Sequence, residues 1–343
     1  MNQQWLEQTG LSWLNVLEDE TSFAESVIDG VAVRDAVRTL ATQARLGYCW
    51  THLAQLFPQR TEFARAAQKS FRFLQYGLTD PGVDFRVYDH SFFLLFMAWY
   101  YRVTNDPTAI RLLMNRYSDI ERHFDNAGAG GFGTHPAGTR SHNPYMHLLE
   151  AMLAAFQSTQ DEFWLVQARR IRRLFTDRLL VTNNQHVLVY EFRNPDWSVA
   201  AGGRVEIGHQ LEWSTLLLEL CAIDGPQGLN SLAQLLYRFA LQYGFEDSLA
   251  IDAVDGEGAP MDRRKLLWGQ TEAARHFSVR ARILRDETAR SRADDQWKLI
   301  RQRFFRTNGW AWYNRLTADG TPVEEPSNAR LLYHVVTAAA EIT

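Results

Sequence analysis

The chain has 343 residues with 36 basic and 40 acidic side chains, a net charge of −4, which gives no electrostatic footprint for nucleic acid or an anionic membrane surface. Its two cysteines, Cys49 and Cys221, both lie in apolar helical contexts, which argues against a disulfide scaffold and fits a reducing compartment. The first twenty residues lack the basic start and long apolar core of a secretion signal and no apolar run is long enough to cross a bilayer, so a cytoplasmic location and no membrane partner are expected.

Periodicity and breakers predict twelve helices, at residues 3–18, 35–57, 61–78, 88–103, 107–125, 144–158, 160–181, 207–222, 228–243, 266–283, 286–304 and 328–342. They alternate in character. The even-numbered ones are apolar nearly all round, as in YDHSFFLLFMAWYY (88–101), while odd-numbered ones such as TEFARAAQKSFRFLQYG carry one apolar stripe and one charged face. That pattern predicts an inner and an outer layer. Asn105-Asp106-Pro107 opens one outer helix; Asn143 is expected to cap the next inner one, with Pro144 at its first position. Residues 128–133 spell GAGGFG, yet they follow a helix and not a strand, so they read as a loop and not a dinucleotide fingerprint. The longer connections, 126–142, 182–206, 244–265 and 305–327, fall where inner helices begin. Within them 185–193 (QHVLVYEFR) and 309–316 (GWAWYNRL) have strand-like content and are expected to form short β-hairpins at a cavity mouth. The expected architecture is all-α, one (α/α)6 barrel over residues 1–343.

Function is expected at the leading ends of the inner helices. His147, His209, Glu272 and His334 recur there at intervals of 62, 63 and 62 residues, which would gather titratable groups in one cavity. His209 and Glu212 are one turn apart on a shared helix face, where a carboxylate either fixes the tautomer of an imidazole or binds substrate hydroxyls. Arg45, Arg204, Asn143 and His147 supply donors for hydroxyls and for a developing enediolate oxygen. Most of the 11 Trp, 12 Tyr and 20 Phe must be core, but Tyr88, Trp268 and Trp312 stand beside polar clusters and are candidates to line a sugar site. His147, His209, Glu212 and His334 could instead converge on a metal, although a single H-x-x-E is a weak signature for one; no metal and no cofactor are expected. His52, His123, His186 and His276 read as structural, and His90, His135 and His142 as undecided.

The stretches QAR (43–45), YDHSF (88–92), NPYMHLLEA (143–151), GHQLEW (208–213), WGQTEA (268–273), WAWYNRLTADGTP (310–322) and LLYH (331–334) together resemble the N-acylglucosamine 2-epimerase superfamily. That group includes aldose–ketose isomerases acting on mannose and epimerases acting on N-acetylglucosamine or cellobiose. The resemblance implies His209 and His334 as the acid/base pair, Arg45, Tyr88, Asn143, His147 and Glu212 as substrate contacts, and Trp268, Glu272 and Trp312 beside them. The activity expected is metal-independent interconversion of mannose and fructose through a cis-enediolate. The alternatives are 2-epimerisation, an inverting glycoside hydrolase using Glu212 and Glu272, or non-catalytic sugar binding. The expected partner is a small sugar and not a nucleic acid, with the chain a monomer or homodimer.

Overall fold

A helix that buries side chains on every side needs neighbours on every side, and six helices of this chain satisfy that need by enclosing one another. The computed structural model describes residues 3–76, 86–124, 130–132, 138–182, 186–226 and 228–342. Among these, the helices are α1 (Gln3–Leu17), α2 (Leu40–Leu56), α3 (Thr61–Tyr76), α4 (Val87–Thr104), α5 (Pro107–Arg122), α6 (Asn143–Thr159), α7 (Glu162–Leu174, continued by a π-helical turn Phe175–Leu179), α8 (Ile207–Asp224), α9 (Leu229–Tyr243), α10 (Leu267–Leu284), α11 (Glu287–Phe304) and α12 (Leu332–Ile342). Consecutive even-numbered helices pack together and α12 returns to α2, closing the ring. Every residue of α8 from Ile207 to Leu218 is buried. Outer helices bury one stripe: α3 covers Phe63, Ala66, Ala67, Ser70, Phe71 and Leu74 and turns its charges outward. This is the expected (α/α)6 barrel. No helix of the described residues is long and apolar enough to cross a membrane.

Caps set the boundaries. Asp106 accepts from the Thr108 N–H ahead of Pro107, as the sequence implies. Helix α2 starts five residues later than predicted, because Thr39 caps it and Arg38 is drawn into an ion pair with Asp19 at 2.9 Å. Asn143 is the first residue of α6 and not its cap: its backbone N–H donates to Ser141 Oγ at 3.2 Å, which frees its side chain for the cavity.

The strands differ from expectation in their pairing. Residues 185–193 do not form a hairpin of their own; 183–185 lie outside the described residues. Val187–Val189 pairs with Leu180–Thr182, and Phe192–Arg193 pairs with Arg140–Ser141. Arg315–Leu316 of the 309–316 segment pairs with Lys265–Leu266. The connections at the mouth are therefore stitched to one another. One hairpin the sequence reading missed, Ser26–Ile28 with Val31–Ala32, turns through Asp29-Gly30, both at positive φ (50° and 80°), the geometry that a two-residue Asp-Gly turn favours. Its other edge pairs with Ser327–Asn328 just before α12. Of GAGGFG, only Gly130–Phe132 is described, with the Phe132 N–H donating to Tyr145 Oη at 2.8 Å.

Candidate functional site

Because the inner helices run in the same sense, their first turns share one mouth. Arg45 on α2, Tyr88 on α4, Asn143 and His147 on α6, His209 and Glu212 on α8, Trp268 and Glu272 on α10 and His334 on α12 all stand there. The positive ends of the helix dipoles face the same space, which favours a developing negative charge.

Two histidines are held in the same way. His334 Nδ1 lies 2.7 Å from Glu272 Oε1, and His209 Nδ1 lies 2.7 Å from Glu191 Oε2 and 3.2 Å from Glu206 Oε2. A carboxylate on Nδ1 places the ring proton there and leaves Nε2 for chemistry. The Trp268 ring lies 4.7 Å from the His209 ring and 6.0 Å from that of His334, so both imidazoles border one indole. Asn143 Nδ2 lies 3.4 Å from His209 Nε2. The charge tendencies of the two rings diverge. Burial lowers the His209 pKa, but Glu191 and Glu206 override it and hold the ring well above its usual value. At His334 burial lowers the pKa, Glu272 opposes it, and the net shift is downward.

Arg45 donates to Tyr88 Oη at 2.6 Å and lies 3.9 Å from the Phe92 ring centroid. His147 packs its ring 4.4 Å from that of Phe92 and places Nδ1 3.3 Å from Glu150; burial pushes its pKa down to about 4. Glu150 is also bound by Tyr333 Oη and by Arg275 at 3.1 Å, and Arg275 reaches Glu272 at 3.6 Å. Neither carboxyl oxygen of Glu212 has a hydrogen-bond partner among the described residues. Burial, then the charges of Glu272 and Glu150, raise its pKa well above the ordinary carboxylate value, which favours the protonated form, able to donate as well as accept.

Two donor sets lie within 4.8 Å and could in geometry hold a cation: His142 with Glu191 and His209, and His147 with Glu150 and Glu212. In each, a carboxylate already has partners, two imidazoles on Glu191 and the Arg275 guanidinium on Glu150.

Arg204 sits at the rim, bound to Glu206 at 2.9 Å and Asp252 at 2.7 Å. Trp312 is fully buried and stacks on Trp13 at 4.2 Å; among the described residues its side chain shares no hydrogen bond or ring contact with the cluster. The sequence reading missed Glu191 and Glu206. It also looked to Glu212 as one candidate to fix the His209 tautomer, whereas Glu191 and Glu206 contact that ring. Glu206 precedes His209 by three residues and shares its face; Glu191 is a lone acid between Tyr190 and Phe192, on a connection whose pairing the sequence does not reveal.

Known proteins resemble this one over much of its length. The D-mannose isomerase of Thermobifida fusca is 27% identical over 257 residues, 67% of this chain and 61% of that protein; the chain thus matches about three-fifths of that relative's length. A crystal structure of a D-mannose isomerase superposes with a TM-score of 0.90 at 19% identity, covering 99% of this chain and 96% of that one. The cellobiose 2-epimerase of Spirochaeta thermophila DSM 6192 superposes at 0.83 and 18%, covering 98% and 96%. A family model matches residues 23–338, and with it the chain belongs to the N-acylglucosamine 2-epimerase family.

Proposed function

We propose that the protein is an aldose–ketose isomerase that interconverts D-mannose and D-fructose with its own side chains. The observation that carries this is the pair His209 and His334, each fixed by a carboxylate on Nδ1 and both bordering Trp268, with the Asn143 amide beside His209 Nε2. Their opposed pKa shifts divide the labour. His334, kept uncharged, takes the proton from C2 of the open-chain aldose. The C2–H electron pair forms the C1=C2 bond while His209, charged, gives its Nε2 proton to O1, yielding a cis-enediol. His209 then takes the O2 proton, C2=O2 forms, and His334 returns its proton to C1. Each imidazole ends in the protonation state in which it began, and exchange of the proton held by His334 with solvent carries label to C1. Neutral Glu212, Asn143 and Arg45 would hold hydroxyls, and the helix N-termini would stabilise oxygen charge in passing. Arg45 and Arg204 already carry partners, which supports an unphosphorylated monosaccharide as substrate.

A second reading, 2-epimerisation, is favoured by the same two imidazoles: if they flank C2 from opposite faces, the second returns the proton with inversion. Incubation with mannose in deuterated water separates the two. Isomerisation should yield fructose labelled at C1, whereas glucose labelled at C2 without fructose would overturn the proposal. The same assay after chelator treatment should be unaffected, and complete, metal-reversible inactivation would overturn the metal-free chemistry.

A further inference from the structure

Trp213 lies one turn beyond His209 on α8, fully buried and stacked on Phe175 at 4.1 Å. An indole nitrogen can only donate, and that of Trp213 lies 3.0 Å from His142 Nδ1. His142 Nδ1 is therefore the acceptor, and the His142 ring proton sits on Nε2, 3.1 Å from Glu191 Oε2. That same oxygen accepts from His209 Nδ1, and Ser141 Oγ lies 3.4 Å from the other. Every donor in the chain Trp213, His142, Glu191, His209 is thus assigned, with protons converging on Glu191 from both sides. Without His142, the buried Glu191 carboxylate would keep only the His209 imidazole and the longer Ser141 contact to hold it.

We propose that Trp213 and His142 are positioning residues which, through Glu191, keep Nδ1 of His209 protonated in both charge states of the ring and Nε2 directed at the substrate. The inference rests on the acid/base role given to His209 above. It makes an unusual demand on Glu191→Gln. With His142 in place, its Nε2–H holds the amide oxygen toward His209 and the tautomer survives; only the charge is lost. With His142 gone, the amide can turn its NH2 to His209 Nδ1, which leaves Glu206 alone to hold the proton there and favours its shift to Nε2, blocking that atom.

The test has two arms on the full chain. In the substrate-free protein, ring-nitrogen NMR should show His142 carrying a single proton on Nε2 and His209 keeping its Nδ1 proton through its titration. A His142 proton on Nδ1 in the wild type would overturn the proposal. Trp213→Phe should release it to Nδ1. This arm does not depend on which sugar is turned over, so it stands or falls apart from the isomerase reading. In the kinetic arm, His142→Ala should lower kcat on the order of tenfold with KM within about twofold, and His142→Gln, whose amide still donates to Glu191, should recover most of the loss. Glu191→Gln should move the alkaline limb of the kcat/KM profile to lower pH, because the nearer of the two carboxylate charges that raise His209 is removed while Glu206 remains. The His142→Ala, Glu191→Gln double variant should lose on the order of tenfold more than the product of the single losses. Additive losses, or an alkaline limb that Glu191→Gln leaves in place, would overturn the proposal.

Discussion

At the scale of single residues, the site relies on one device used twice with different settings. His209 has two carboxylates within 3.2 Å of Nδ1, whereas His334 has one, with Arg45 among the influences that lower its pKa. The signs follow from these neighbours. A base whose pKa lies below 6.5 works down to mildly acid pH and is lost as it protonates; an acid raised well above 6.5 is lost only on the alkaline side. The kcat/KM profile should therefore have a plateau spanning neutrality. Glu272→Gln removes the partner that raises His334, so its acid limb should move to lower pH while the plateau falls, because a weaker base remains. His334→Ala and His209→Ala should each lose about 10²–10⁴-fold in kcat with the helical circular-dichroism spectrum unchanged; activity near wild type in either would refute its role. The histidines were legible in the sequence because they head apolar helices at even intervals. Glu191 was not, because a single acid in a segment of two- and three-residue strands has no period to reveal its direction.

At the scale of elements, α8 and α10 approach closely beside the proposed catalytic pair. A Cβ on Gly208 would stand 2.6 Å from Trp268 Cη2 and 3.1 Å from Gly269 Cα, so the glycine at the head of α8 lets the indole lie against His209. Gly208→Ala should push Trp268 aside, costing about 1–3 kcal/mol in stability from overpacking and on the order of tenfold or more in kcat/KM through misplacement of both imidazoles. Calorimetry and steady-state kinetics on one sample separate the two effects; unchanged kinetics would show that Trp268 does not position the pair. The inner helices were readable in advance since burial on all sides leaves an unmistakable composition, and α8 was predicted at 207–222 against the observed Ile207–Asp224. The strands that cross-link the connections were not, since their partners are fixed by the closed barrel and not by local turns. Asp29-Gly30 is the exception, a turn the sequence does encode.

At the scale of the whole molecule, the ring closes between parts of the chain far apart in sequence. Ser26–Ile28 pairs with Ser327–Asn328, α12 packs on α2, and Thr337 donates to Tyr48 Oη across 289 residues. Trp13 locks α1 to the last connection: fully buried, it stacks on Trp312 and donates to the Trp310 carbonyl at 2.9 Å. Trp13→Ala should cost about 3–5 kcal/mol, read as a lower urea midpoint; a loss under about 1 kcal/mol would show that α1 is a dispensable cover. This closure also sets a timetable for birth. A ribosome adds roughly 5–20 residues per second, so the apolar seam of α2 emerges on the order of 15–60 seconds before the helix that covers it, and His209 waits a shorter time for His334. During synthesis the half-built barrel has an open flank that other hydrophobic surfaces can bind. Slowing translation after α10 should lengthen that exposure, and with it the dependence of the nascent chain on chaperones.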